Sequence, residues 1–186
     1  MTQQTLTAKD VAAVDRFVAV ARQYCSVMEG AHAASGPQLI RKSAELLPEL
    51  YRAALDLPDI ETGTTDGETA LRMAAKEDAH IVQASLPNEL ADYSIYWHTF
   101  DPLESPPDEP VASDLRNDFV EIYEDVRTGI QTWAAASIED KADIAWGWRF
   151  NFIHHWGRHA VSAMTAVHAL LFARFIELPS DDSPPT

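Results

Sequence analysis

The stretch Trp146-Gly147-Trp148-Arg149-Phe150-Asn151-Phe152-Ile153-His154-His155-Trp156-Gly157-Arg158-His159-Ala160 holds three of the five tryptophans and three of the seven histidines of this 186-residue chain. It lies in the most apolar part of the sequence, behind a capping signal at Ser137 and Asp140. There Trp146, Phe150, Ile153, Gly157, Ala160, Met164, Val167, Leu171 and Phe175 recur at steps of three and four. That period predicts a long helix whose apolar stripe is the spine of the core. Unbroken from Ile138 to Ile176, it would run roughly 58 Å at the α-helical rise, whereas a domain of this size is only about 40 Å across. Gly157 is the expected site of a bend or of a close helix crossing.

Helical patterning continues upstream. Thr7 and Asp10 form an N-terminal cap signal ahead of Val11, Val14, Phe17, Val18, Ala21, Tyr24, Cys25 and Met28, with an end near Gly30. Ser35-Gly36-Pro37 opens a second helix through Ile40, Ala44, Leu47, Tyr51 and Ala54, and Pro48 inside it predicts a kink or break. Pro58 to Gly67 reads as a surface loop. A weaker helix follows from about Glu68 to Leu86, with Leu71, Ala74, Ala75 and Val82 on its apolar side. Tyr93 to Leu103 is aromatic-rich without a period, no segment alternates like a strand, and Ser105 to Pro110 is an extended acidic loop. Ser113 is the expected cap of a helix with the stripe Leu115, Phe119, Ile122, Val126, Ile130 and Trp133. The reading is all-α: one compact bundle of about six helices over residues 1–178, with a polar tail at 179–186.

Composition sets limits on function. Fourteen Lys and Arg against 29 Asp and Glu leave a formal charge of −15. Such a field repels phosphate backbones and anionic lipid, and favours a basic partner or simply solubility. No stretch gathers more than the two basic residues Arg41 and Lys42, so no direct nucleic-acid contact is expected. Cys25 stands alone in an apolar helical stretch, which makes it a structural thiol rather than half of a disulfide. Without a leader pattern or an apolar run long enough to span a bilayer, the expectation is a cytoplasmic protein with no membrane contact.

The candidate chemistry gathers on the tryptophan-rich helix. Arg149 falls within its apolar arc, where a guanidinium needs a carboxylate, a set of carbonyls or an outlet to water. Asp101, at the end of Tyr96-Trp97-His98-Thr99-Phe100-Asp101, is the nominated partner; an anion-binding arginine is the alternative. His155 and His159, four residues apart, share a helix face. They could pack through hydrogen bonds, ligate a metal or exchange protons. No glutamate follows His155 as in a zincin helix, and no metal or cofactor is expected. Tyr96 and Trp97 either fill the core or frame a pocket with Arg149. The six carboxylates from Asp101 to Asp118 lack the spacing of a calcium loop. No nucleophile elbow, phosphate loop or dinucleotide fingerprint occurs.

Three joined features, Leu46-Leu47-Pro48-Glu49-Leu50-Tyr51, Tyr96-Trp97 with Phe100-Asp101-Pro102-Leu103, and Trp148-Arg149-Phe150 with His155-Trp156-Gly157-Arg158-His159-Ala160, resemble a bacterial family of short proteins, domain of unknown function 5063. The likeness runs from about Tyr24 to Leu171 and implies an all-helical single domain, with no activity to transfer. The leading expectation is therefore a non-enzymatic accessory or protein-interaction module. The alternative is a small anionic-ligand or metal site, hydrolytic chemistry included, around Arg149, His155, His159 and Asp101, with Tyr96, Trp97 and Arg158 beside it.

Overall fold

The computed structural model describes residues 6–60 and 68–173. Among these, six α-helices and one two-stranded sheet make up the chain: α1 (Ala8–Glu29), α2 (Gly36–Ala54), α3 (Glu68–Ser85), β1 (Ile95–His98), β2 (Val111–Asp114), α4 (Leu115–Arg127), α5 (Ile138–Asn151) and α6 (Gly157–His168). Most of the expected loop after Pro58, the side chain of Leu71, Phe175 and the tail at 179–186 lie outside the described residues. No helix there is long and apolar enough to cross a membrane.

Local chemistry starts the helices where the sequence signals it. Thr7 and Asp10 form a reciprocal capping box at α1, and Ser35 and Gln38 do the same at α2, which carries a proline in its first turn. Asp114, not Ser113, caps α4 by accepting the Arg116 N–H at 2.9 Å, while Ser113 belongs to β2. Ser137 caps α5 as expected. Pro48 does not break α2, which runs unbroken to Ala54. Pro48 sits on the exposed side of the helix, where the carbonyl that proline leaves unpaired is open to solvation. On α3 the buried line is Ala75, Ala79 and Val82, continued by Leu86 just beyond its end, with Ala74 turned to solvent.

The hairpin is the element that the periodicity argument misses. β1 and β2 pair antiparallel, with Ile95 opposite Asp114 and His98 opposite Val111. Four residues alternating between exposed and half-buried side chains give too short a pattern to stand out beside prolines.

The C-terminal helix holds the second correction. The buried residues are Ala142, Ala145, Trp148, Phe152, Trp156, Ala160, Ala163 and Val167, whereas Phe150 and Ile153 are exposed. Between α5 and α6 the backbone from Phe152 to Trp156 winds as a π-turn, and Ala169–Ala173 repeats that geometry. A wider turn advances the helical phase by part of a residue, so one stripe cannot be extrapolated across it. Gly157 follows directly. Its N–H donates to the Phe152 carbonyl five residues back, and a Cβ there would collide with that same oxygen. Glycine is thus required by the π-turn itself.

The core forms around two buried indoles. Phe17 of α1 lies 5.2 Å from the Trp148 ring and 6.2 Å from Trp156, and Trp133 lies 5.7 Å from Trp148. Each buried tryptophan removes enough apolar area to contribute about 4–6 kcal/mol before entropy is counted. Tyr24 donates to the Phe119 carbonyl at 2.9 Å and Trp148 Nε1 to the Val126 carbonyl at 3.1 Å, whereas the buried Trp156 Nε1 has no hydrogen-bond partner among the described residues. Helix α4 packs against α1, α3 and α6, and α6 also packs on α2. Cys25 lies in this core, where burial, followed by the nearby Glu29 charge, raises its thiol well above the usual range.

Candidate functional site

Spacing on α4 builds the most polar part of the interior. Asp118, Glu121 and Asp125 stand at i, i+3 and i+7, hence on one face. That face meets the π-turn and the start of α6. His155 Nδ1 donates to Asp125 Oδ2 at 2.6 Å, with Nε2 3.7 Å from Glu121, and His159 Nδ1 donates to Asp118 Oδ1 at 2.8 Å. The two imidazoles touch edge to face, their centroids 4.9 Å apart. The other Asp118 oxygen accepts from the Tyr96 hydroxyl at 2.6 Å. A carboxylate only accepts, so Nδ1 of each histidine carries the proton. Both aspartates are buried, at 3% and 6% exposure. Burial first, then the bond to Asp118, raises the Tyr96 phenol well above its ordinary value.

This knot is a closed set of aspartate–histidine pairs that clamps β1, α4 and α6 together. Among the described residues no hydroxyl or thiol hydrogen-bonds to Nε2 of either histidine, so a nucleophile–base contact is not formed. Nor do three or more His, Cys, Asp or Glu side chains converge as a metal site among those residues. Arg72 flanks the knot, donating to Asn151 Oδ1 at 2.7 Å and lying 3.7 Å from Asp125.

Arg149 is elsewhere. Its guanidinium donates to the Leu57 carbonyl at 2.9 Å and lies 3.5 Å from Asp59, tying α5 to the segment after α2. The nominated pairing with Asp101 is not made. Asp101 is exposed and instead accepts the Leu103 N–H at 2.8 Å. The π-turn explains the misplacement, since the wheel that put Arg149 in line with Ile153 and Trp156 assumed uniform α-helix.

Two further features complete the arrangement. Arg127 of α4 bonds Asp78 of α3 at 3.0 Å and Tyr123 at 3.2 Å, and lies 3.4 Å from Glu29 of α1. Although burial opposes its charge, Tyr123, Glu29 and Asp78 raise the pKa of this guanidinium. Nothing in its local sequence marks Arg127, since its acids come from helices far away in the chain. The hairpin arm is the other feature. Tyr96 turns inward to Asp118, while Trp97 faces solvent at 70% exposure. The connecting loop presents Leu103 at 90% exposure, and the Arg158 guanidinium covers Phe100 at 4.1 Å. Of the residues singled out by sequence, the knot unites Tyr96, His155 and His159. Trp97, Asp101 and Arg158 lie along the arm, and Arg149 joins neither group.

Fold and site define a helical bundle with an aspartate–histidine clamp and one two-stranded hairpin. The sequence matches the family described as domain of unknown function (DUF5063) over residues 10–173, and the chain belongs to that family. It is similar to the crystal structure of protein BF1032 from Bacteroides fragilis, with a TM-score of 0.65 and 24% identity, covering 87% of this chain and 93% of that one. No curated protein matches.

Proposed function

We propose that this protein is an interaction module whose hairpin arm binds an extended, basic segment of another protein. One observation carries the reading: Ile95 and Trp97 are exposed on one face of a short arm, at 52% and 70%, and its connecting loop adds Leu103 at 90%. Large apolar groups gathered on one solvent-facing element mark a contact surface more often than scattered ones do. An exposed indole is the side chain most often found to dominate binding energy. The arm also offers strand edges unpaired among the described residues, to which an extended peptide can add as a further strand.

Charge selects the partner. Asp101, Glu104, Asp108, Glu109 and Asp114 lie on the arm itself, and the whole chain carries −15. A segment with one large apolar residue flanked by Lys or Arg fits that surface, its anchor against Trp97 and its cations against the acids. The test uses fluorescein-labelled peptides with a central Leu or Phe between lysines, followed by anisotropy. Saturable binding is expected that weakens with salt and falls at least tenfold in Trp97→Ala/Leu103→Ser protein of unchanged circular dichroism. Equal binding of peptides with Glu in place of Lys, or no loss in the double variant, would overturn the reading.

A further inference from the structure

From Ile144 to Ile176 the sequence holds no Asp or Glu, in a chain that has 29 of them. The two arginines between Ile144 and Ala173 are both taken up by their own chain. Arg149 donates to the Leu57 carbonyl, and Arg158 covers the Phe100 ring. The solvent side of α5, the π-turn and α6 therefore differs in charge from the rest of this acidic molecule. It is also apolar, with Phe150, Ile153, Val161 and Phe172 all exposed, Phe172 at 66%.

Along that side the exposed residues Phe150, His154, Val161, His168 and Phe172 follow one another at steps of four, seven, seven and four. Such steps keep to one helix face, and each half of the line contains one of the two π-turns. The order of side chains is the same read in either direction about Val161. Their packing repeats the symmetry. The rings of Phe150 and His154 lie 4.6 Å apart at 47°, and those of His168 and Phe172 lie 5.0 Å apart at 46°.

From this face we infer that two copies of the chain pair through it, antiparallel, about a two-fold axis at Val161. A two-fold interface needs one self-complementary patch, in which residue i of each copy meets residue j of the other. Antiparallel pairing sets Phe150 against Phe172 of the second copy, His154 against its His168, and Val161 against itself. Charge favours this occupant, because the two strongly negative molecules then meet where neither presents a carboxylate. Screening over about 8 Å at physiological salt removes most of the repulsion between acids lying off the face. With Ile153 and Thr165 beside it, the exposed line amounts to on the order of 600 Å² per copy, so a pair reaches the roughly 1,200 Å² at which specific interfaces begin. The pairing closes on itself and yields a dimer, not a filament.

Sedimentation equilibrium on the full chain reads the mass directly. Wild-type protein should pass from 20.6 kDa toward twice that mass as its concentration rises through the micromolar range. Val161→Glu and Val161→Arg each set like charges against one another at the axis. Either protein alone should dimerise at least tenfold more weakly, with unchanged circular dichroism. An equal mixture of the two should recover the dimer, since Glu then meets Arg. Phe150→Cys and Phe172→Cys proteins should cross-link with each other through a short bis-maleimide and not with themselves, Cys25 being buried. Trp97→Ala/Leu103→Ser protein should dimerise as the wild type does, which separates this face from the hairpin arm. A wild-type mass that stays at 20.6 kDa up to about 200 μM, a concentration well above the dissociation constant of a micromolar pair, would overturn the assignment. So would undiminished dimers of both Val161 variants, no recovery on mixing, self-cross-linking of each cysteine variant, or loss of the dimer in the arm variant.

Discussion

Asp118 is the residue on which most of the buried polar chemistry converges, because its two oxygens serve Tyr96 and His159 from two different elements. Asp118→Ala removes the shared acceptor of two half-buried side chains, of which Tyr96 keeps Ser113 and Ser162 beside its hydroxyl. It should lower stability by about 2 kcal/mol, read from urea unfolding. Tyr96→Phe and His159→Ala each remove one of the two bonds, and because both bonds end on one carboxylate their combined cost should differ from the sum by more than about 0.5 kcal/mol. Additivity of that pair would mean that the clamp does not act as a unit. Arg149 makes the opposite case. Its acceptor is a carbonyl and its acidic neighbour Asp59 is 90% exposed, so Arg149→Ala should cost only about 1 kcal/mol and add simply to Asp101→Ala. The contrast shows what single residues reveal. His155 and His159 stood out by spacing and chemistry, and both bond to buried aspartates of α4, His155 with 43% of its side chain still exposed. Their aspartates were hidden because Asp118 and Asp125 look like ordinary helix-surface acids until another helix is laid against them.

At the scale of elements, the π-turn at Phe152–Trp156 decides which side chains enter the core, and Gly157 is the residue it cannot replace. Gly157→Ala forces a methyl group into the Phe152 carbonyl, which is backbone and cannot rotate away. A loss of about 1–3 kcal/mol is expected, with a melting curve that stays cooperative. A neutral or stabilised variant would mean that the segment relaxes to regular α-helix at no cost. Helix α4 offers a test of electrostatics. Burial, then the charges of Glu121 and Asp125, raise the pKa of Glu124. A carboxylate raised on folding contributes stability when protonated, below its unfolded pKa, and loses it as pH climbs through the folded value. Glu124→Gln should therefore gain stability near pH 7, by less than about 1 kcal/mol, and the gain should vanish near pH 4. Helices are legible from apolar spacing because one period runs through ten or more residues. The π-turn is not, since a local widening leaves composition and spacing nearly unchanged, and the two four-residue strands are too short to assert a period.

At the scale of the whole molecule, the excess of 15 negative charges acts on every element at once. Self-repulsion among them is relieved when the chain expands, so the field opposes the compact state. The ion pairs work against this, but unequally. Lys42–Glu45 and Arg52–Asp56 lie largely in solvent and contribute little. Arg127, with its side chain only 15% exposed, holds Glu29 and Asp78 where salt screens poorly. Raising ionic strength should then remove more repulsion than attraction. The melting temperature is expected to rise by a few degrees between 10 mM and 300 mM sodium chloride, across which the screening length falls from about 30 Å to about 6 Å. Arg127→Met should melt lower at both concentrations and yet retain the same upward dependence on salt, because the repulsive background is spread over the surface and not held at that site. A melting temperature that falls as salt is added would mean that a few specific pairs, rather than net charge, set the electrostatic stability of this fold.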